Sequence, residues 1–180
     1  MKLSVKKDSS DKQAAYLAKC SRIFNQEMKN MLAKMGDEIV AEARNRSEAQ
    51  SFFNHTGDLR ASIGYGVFRD GKKIAKSDFA LVSAPESNGH YGQWLGRREL
   101  TKVAQQNPEK PANEGTIGFD MGGGSTQLVV VAGMPYAAYV DGLSKKDVLG
   151  KAKLHAYQKV RSYLQSAKAA IQTRIAKIKR

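Results

Sequence analysis

The chain has 180 residues, of which 41% are hydrophobic and 26% are charged, so one folded domain is expected and wholesale disorder is excluded. Its longest apolar run, residues 128–134, is too short to span a membrane, and residues 1–7 lack the apolar stretch of a signal peptide, so we expect the protein to stay in the cytoplasm in which it is made and to have no membrane contact. The net charge of +13 favours a polyanionic partner.

The first predicted element is a long helix over residues 11–47. Apolar residues recur there at steps of three and four, which is the period of an amphipathic helix. Residues 8–11 offer aspartate and serine side chains that can cap a helix start, and residues 45–54 are polar and irregular. The helix is therefore expected to end near Ser47.

Residues 62–141 show strand-like alternation and predict an antiparallel sheet of four to five strands. The runs 63–68 and 73–84 flank Asp70 and Gly71, and this dipeptide favours a two-residue hairpin turn because both positions need a positive φ.

A second pair of strands is predicted at 116–121 and 126–132, on either side of the glycine-rich residues 122–125. Residues 136–140 follow a Gly-Met-Pro break and predict one more short strand.

Between the two pairs, the polar residues 85–115 predict a loop insertion with a short helix near 97–106, and loops of this length are usually functional or partly disordered. The helical period returns at 147–178. The sequence thus predicts a single α+β domain over residues 1–180, with a long helix at each end and the helices packed on one face of the sheet. Two long amphipathic helices carry more apolar surface than so small a sheet covers, which indicates contacts between subunits.

Two motifs stand out. Residues 54–63 read Asn-His-Thr-Gly-Asp-Leu-Arg-Ala-Ser-Ile, and residues 136–142 read Tyr-Ala-Ala-Tyr-Val-Asp-Gly. They resemble the Thr-Gly-x-Leu-Arg-x-Ser-Ile and Tyr-Ala-x-Tyr-Val-Glu-x-Gly motifs of a tailed-bacteriophage family, the lambdoid gene-ten-like neck or minor tail components. The resemblance spans residues 11–178, with Asp141 in place of the usual glutamate.

This resemblance implies a structural virion protein without enzymatic activity. It implies a homo-oligomeric ring in the neck that joins the head connector to the tail, with double-stranded DNA passing through its lumen without sequence specificity. Head-closure and tail proteins would be its other partners. A tail terminator, or a sequence-independent DNA-binding accessory protein that acts alone, are the alternative functions.

The first motif also has a structural interpretation. Gly57 supplies a backbone conformation that other residues resist, Thr56 or Asp58 can cap a turn, and Leu59 and Ile63 anchor the start of the sheet. We expect Arg60 to point outward, toward a neighbouring subunit or a phosphate. The candidate subunit-interface residues of the two motifs are Thr56, Gly57, Leu59, Arg60, Tyr136, Tyr139 and Asp141.

Positive charge is concentrated at the C-terminal end. Residues 144–180 contain eleven Lys and Arg against one acid, Asp147, so they carry +10 of the total. A solvated helix face, contact with nucleic acid, and an acidic protein partner all remain open. A nucleic-acid contact would be to phosphates, since no base-reading motif is present. The candidate residues facing DNA or the lumen are Lys151, Lys153, Lys159, Arg161, Lys168 and Arg174.

One enzymatic alternative rests on residues 119–126. They resemble the phosphate loop of the sugar-kinase and exopolyphosphatase superfamily, in which glycine amides hold phosphate and an aspartate, here Asp120, acts through a metal. That fold needs a second loop near the N-terminus, where this chain has a helix, and about twice as many residues. Cys20 has no disulfide partner, and the three histidines lack ligand spacing. We therefore predict no catalytic, cofactor or metal site.

Overall fold

The computed structural model describes residues 7–46, 52, 55–82, 88–105, 117–123, 126–143 and 147–178. Its elements in chain order are α1 (Lys7–Asn45), α2 (Asp58–Ala61), β1 (Ile63–Arg69), β2 (Lys72–Lys76), α3 (His90–Gln105), β3 (Ile117–Gly123), β4 (Thr126–Ala132), α4 (Ala137–Gly142) and α5 (Gly150–Ala176). The predicted mixture of helix and sheet, with a long helix at each end, is confirmed. None of the helices in these ranges is long and apolar enough to cross a membrane.

Helix α1 begins at Lys7, earlier than predicted, and residues 8–11 lie inside its first turns. Aspartate near a helix N-terminus is favourable both as a cap and within the first turn, because the helix dipole stabilises negative charge in either place. The sequence therefore locates the start of this helix only to within about a turn. Its end at Asn45 is close to the predicted one.

The described sheet has four antiparallel strands in the order β2-β1-β4-β3. The central pair, β1 and β4, is in register from Ile63 opposite Ala132 to Arg69 opposite Thr126. Between β1 and β2, Asp70 has a φ of 49° and Gly71 a φ of 74°. Both turn positions thus have the positive φ that the dipeptide predicted, and the hairpin is confirmed.

Strand β2 ends at Lys76, well before the predicted end at residue 84. Ser77 still bonds to β1, since its N–H donates to the Tyr65 carbonyl and its Oγ accepts from the Tyr65 N–H, each at 3.0 Å. Phe79 then adopts a φ of 46° and buries its ring against Gly64. The strand ends because this ring turns into the core.

The predicted short strand at residues 136–140 is wrong. Residues Ala137–Gly142 form helix α4, which leads toward α5. A run of five residues is too short for its period to separate a strand from a helical turn. The helix is held by Asp141, whose Oδ1 accepts a 2.7 Å hydrogen bond from the N–H of Val148 just before α5.

Helices cover both faces of the sheet, which corrects the prediction that they pack on one face. The larger core lies between α1, α5 and one face; its buried members include Leu32, Met35, Ile39, Ile63, Tyr65, Val67, Leu128, Val130, Ala152 and Ala156. On the opposite face a smaller cluster joins the sheet to α3 through Phe68, Phe79, Leu100, Val129 and Val131.

Helix α3 replaces much of the predicted loop insertion, of which residues 85–87 and 106–115 lie outside the described part of the chain. The short helix predicted near 97–106 is thus the second half of α3, and the sequence misses the first half, residues 90–96, because glycine has a low helix propensity. The glycines are needed for close packing: a Cβ on Gly92 would lie 1.8 Å from the Asp58 carbonyl oxygen, and one on Gly96 would lie 2.4 Å from that of Ser62. The spacing of Gly89, Gly92 and Gly96 on one helical side was the available signal.

Candidate assembly and nucleic-acid surfaces

The two sequence motifs lie side by side in the fold. The N–H of Gly133, just before the second motif, donates to the Ser62 carbonyl of the first at 3.2 Å. Burial and the negative charge of Asp58 raise the pKa of Tyr136. Segments far apart in sequence therefore form one junction, which also holds the N-terminal end of α3.

The turn of the first motif has the predicted backbone. Gly57 has a φ of 78°, and Thr56 Oγ1 accepts a 3.3 Å hydrogen bond from the N–H of Asp58. The Asp58 carboxylate accepts a 2.9 Å hydrogen bond from the N–H of Gly92. Asp58 thus connects the motif to α3, a contact that the sequence did not reveal.

Arg60 does not point outward, and this prediction is wrong. Its two Nη atoms donate to the carbonyls of Arg44 and Arg46 at 2.7 Å each, and its guanidinium lies 5.4 Å from the centre of the Phe52 ring. The last carbonyls of a helix lack partners within the helix. Arg60 supplies those partners for α1, so it acts within the subunit.

Other residues of the predicted interface are also occupied inside the chain. Leu59 is buried in the main core, and Asp141 accepts hydrogen bonds from the N–H groups of Val148 and Leu149. The two tyrosines of the second motif differ: Tyr136 is 42% exposed and Tyr139 is 70% exposed. Of the interface candidates, these rings offer the most surface to a partner.

A second contact ties the C-terminal helix to this junction. Arg46 is buried, and its guanidinium lies 3.2 Å from Asp147 and 3.4 Å from Glu42. The Asp147 carboxylate also accepts from the N–H of Lys151 in the first turn of α5, at 2.9 Å. The single acid of the basic segment is therefore used to fix α5 to the end of α1.

The six cations assigned to DNA are not equivalent. Lys159 pairs with Glu38 at 3.2 Å and Arg174 pairs with Glu27, so both join α5 to α1. These contacts also show that the two helices run antiparallel. Lys151, Arg161 and Lys168 are exposed, whereas Lys153 is half-buried and lies 6.0 Å from the Tyr157 ring.

The pair with Glu38 has an electrostatic signature. The nearby hydroxyl of Tyr163 and the positive charge of Lys159 hold the pKa of the Glu38 carboxyl below its usual value. Burial and the neighbouring carboxylate in turn raise the pKa of Tyr163. This part of α5 is therefore a charged contact between helices.

The outer face of α5 carries cationic side chains and neutral polar side chains. Arg161 and Lys168 are seven residues apart, which places them on the same side of the helix about 10.5 Å apart along its axis. Gln158, Gln165 and Gln172 repeat at the same interval and are exposed beside them. No residue of Gly150–Ala176 is acidic.

The N-terminal half of α1 carries unburied apolar residues. Leu17 is 65% exposed and Phe24 is 51% exposed, and their spacing of seven residues places them on one side of the helix. The fully buried residues of α1 begin only at Leu32. This half of α1 and the end of α5 form a two-helix arm, defined here as residues 10–31 and 164–178.

A third surface, on α3, was missed by the sequence interpretation. Tyr91 is 57% exposed and Trp94 is 54% exposed, with stacked rings whose centres are 6.1 Å apart. The guanidinium of Arg98 lies 5.3 Å from the centre of the Trp94 ring. The three residues recur at steps of three and four, so this signal was available once the segment was known to be a helix.

The segment that resembles a phosphate loop belongs to a hairpin. Asp120 lies in β3 opposite Val129, and the ladder continues to Gly123 opposite Thr126. The tip, residues 124–125, lies outside the described residues. Within the described ranges, no group of three or more histidine, cysteine or acidic residues could hold a metal ion.

Comparison with protein families adds a direct finding. Residues 11–95 match the family model described as "Bacteriophage HK97-gp10, putative tail-component". The match includes the first motif and the start of α3, and it ends before the second motif and α5. Among curated proteins and solved structures, none matches the chain. Residues 11–95 of this chain are thus similar to the HK97-gp10-like phage tail components, and this match confirms the family resemblance of the segment that contains the first motif.

Proposed function

We propose that this protein is a non-enzymatic subunit of a homo-oligomeric ring in the neck of a tailed phage, where it joins the head connector to the tail and surrounds the DNA. The observation that carries the proposal is the outer face of α5, where the exposed Arg161 and Lys168 stand among neutral glutamines on a helix that contains no acidic residue. The rest follows from the family match and from the unburied surfaces.

A DNA channel requires weak contacts that do not depend on sequence. Exposed cations attract phosphates, and each phosphate contact releases counterions, so binding weakens as salt rises. Only part of the positive charge is available for this purpose, because Lys159 and Arg174 pair with α1. We assign the lumen to Arg161 and Lys168, with Lys151 at the start of the same helix.

Ring assembly requires contacts between copies. The two-helix arm offers Leu17 and Phe24, which a single subunit leaves half or more exposed. Burial of a large apolar side chain stabilises an interface by about 1.5–3 kcal/mol. In this proposal the arm packs on a neighbouring copy, and Tyr139 of the second motif contributes to the same ring.

The experiment is an absolute mass measurement by light scattering after size exclusion, over a range of protein and salt concentrations. A closed oligomer of about six or twelve copies supports the ring. The variant Phe24→Asp should shift the mass toward the monomer. The control Leu154→Asp changes an exposed leucine outside the arm and should leave the mass unchanged.

A monomer at every concentration would count against self-driven assembly. In that case salt-sensitive micromolar binding to DNA by the monomer would favour the accessory DNA-binding protein. A tail terminator also forms a ring, so it would be distinguished by binding to isolated tail tubes rather than to connectors. Metal-dependent phosphate release lost in Asp120→Asn would revive the enzymatic alternative.

A further inference from the structure

The outer face of α3 carries three side chains of the kind that dominate protein interfaces. Tyr91, Trp94 and Arg98 lie together: the Tyr91 and Trp94 rings are stacked, and the Arg98 guanidinium lies over the Trp94 ring. Trp, Tyr and Arg are enriched among the residues that contribute most binding energy. We call these three residues the α3 stack.

The support beneath the α3 stack is rigid. Gly89, Gly92 and Gly96 bring the helix into direct contact with the backbone of the first motif, and the Asp58 carboxylate binds the N–H of Gly92. On the buried side, Leu95 and Leu100 are 4% and 1% exposed. A partner would therefore meet a preformed surface and lose little free energy in ordering it.

Charge on α3 specifies what the partner must carry. Arg97 and Arg98 are exposed, whereas the one acid of the helix, Glu99, is fully buried and lies 3.4 Å from Lys102. The described outer face of α3 is thus cationic without an acidic residue. A second copy of this strongly basic chain would not supply the complementary charge, but carboxylates would, because a guanidinium binds them with two parallel hydrogen bonds.

The aromatic rings distinguish an acidic protein from duplex DNA. Each ring buries about 150–250 Å² when it is fully covered, and that requires an apolar surface. Duplex DNA keeps its bases stacked on one another and presents phosphate and sugar outward. A polypeptide can place leucine or phenylalanine beside glutamate or aspartate, and so can cover the rings and neutralise the arginines together.

We infer that the α3 stack is the docking site for an acidic, partly apolar segment of another virion protein. The inference deepens the proposed function, on which it rests, by naming the chemistry of the adjoining partner. It separates two uses of cations: α5 faces nucleic acid and α3 faces protein.

Trp94 is the only tryptophan of the chain, so its fluorescence reports on this site alone. The probe is a short synthetic peptide of glutamate and leucine, compared with the same peptide in which glutamine replaces every glutamate. We expect saturable binding and a blue shift of Trp94 emission with the acidic peptide only. Arg98→Glu should weaken this binding at least about tenfold, and Tyr91→Ala by a similar factor.

The matched control is Tyr157→Ala on α5. Tyr157 is 51% exposed and also has a lysine beside its ring, so it resembles the α3 stack in chemistry but not in place. The Tyr157→Ala variant should bind the acidic peptide as tightly as the unaltered protein does. Circular dichroism verifies that each variant is folded, and Arg98→Gln serves as a second test if the charge reversal impairs folding.

Equal binding of the two peptides, or no saturable binding of the acidic one, would overturn the inference. So would a stronger Trp94 response to single-stranded oligothymidine, because unstacked bases can also cover aromatic rings. The mass measurement is independent of this titration. If the protein forms a ring but does not bind the acidic peptide, the docking site is rejected and the ring is kept. If the protein is a monomer that binds the acidic peptide, the ring is rejected and the docking site is kept.

Discussion

Cations have opposite roles at the junction of the two motifs and on the outer face of α5. At the junction, Arg46 and Arg60 are turned inward: the first pairs with Asp147 and the second donates to the last carbonyls of α1. On the outer face of α5, Arg161 and Lys168 are exposed. The same residue types hold the subunit together in one region and face outward in the other.

This difference explains why net charge alone is a weak guide to a binding surface. Burial decides the role of a cation, since a guanidinium removed from water must find carbonyl or carboxylate partners within the protein. Burial also lowers the pKa of Arg44, whose guanidinium donates to the Ile63 carbonyl. On α5, exposure alone does not make a cation available for recognition, because the exposed Lys159 and Arg174 already pair with carboxylates of α1.

The strongest test of the junction is Gly92→Ala. A Cβ there would meet the Asp58 carbonyl oxygen at 1.8 Å, so backbone must move, and we expect a loss of about 3 kcal/mol in the free energy of unfolding. Gly142→Ala is the control, because no atom lies within 4 Å of its Cβ position. Urea denaturation measures both. Equal midpoints would contradict the close packing of α3 on the first motif.

The next test compares the two kinds of arginine. Arg60→Lys keeps the charge but loses the paired donors, so we expect a loss of about 2 kcal/mol in the free energy of unfolding. Arg161→Lys should leave the urea midpoint unchanged, since that side chain lies exposed on α5. If Arg60→Lys instead altered only the oligomeric mass, Arg60 would be an interface residue after all.

For DNA binding, we expect the exposed cations of α5 to matter more than the cations that pair within the subunit. In the double variant Arg161→Glu, Lys168→Glu we expect weaker binding to duplex DNA, with a dependence of log K on log salt shallower by about 1.8. Lys159→Gln should have a smaller effect, because Glu38 already holds that lysine. Fluorescence anisotropy at several salt concentrations measures both. An unchanged slope in the double variant would remove Arg161 and Lys168 from the lumen.

The smallest expected effect is a pH dependence at the contact between α1 and α5. The folded-state pKa of Glu38 is lowered, so its contribution to stability is present above the unfolded pKa and is lost as pH falls through the folded pKa. Below about pH 4.3, the melting temperature of the Glu38→Gln variant should therefore decrease less with falling pH than that of the unaltered protein. The pair is largely exposed, so the variant should lose at most about 1 kcal/mol at neutral pH. Identical acid profiles would argue against the pair.

Several features of the fold were predictable because they depend on local patterns. The periods of the two long helices, the Asp70-Gly71 turn and the left-handed Gly57 follow from neighbouring residues alone. Of the candidate sites, the α5 cations were found as a group. The pairing of Lys159 and Arg174 with α1 was not predicted, because it depends on which cations face that helix.

The sequence by itself determined the class of fold, the similarity of residues 11–95 to a family of phage tail components and the excess of positive charge. Only the tertiary structure decided that residues 90–96 are helix rather than loop, that Arg60 turns inward, and that Trp94 is exposed. Each of these depends on a contact between segments distant in the chain. Glycine in α3 is favourable only because the backbone of the first motif lies against it, and no local propensity contains that information.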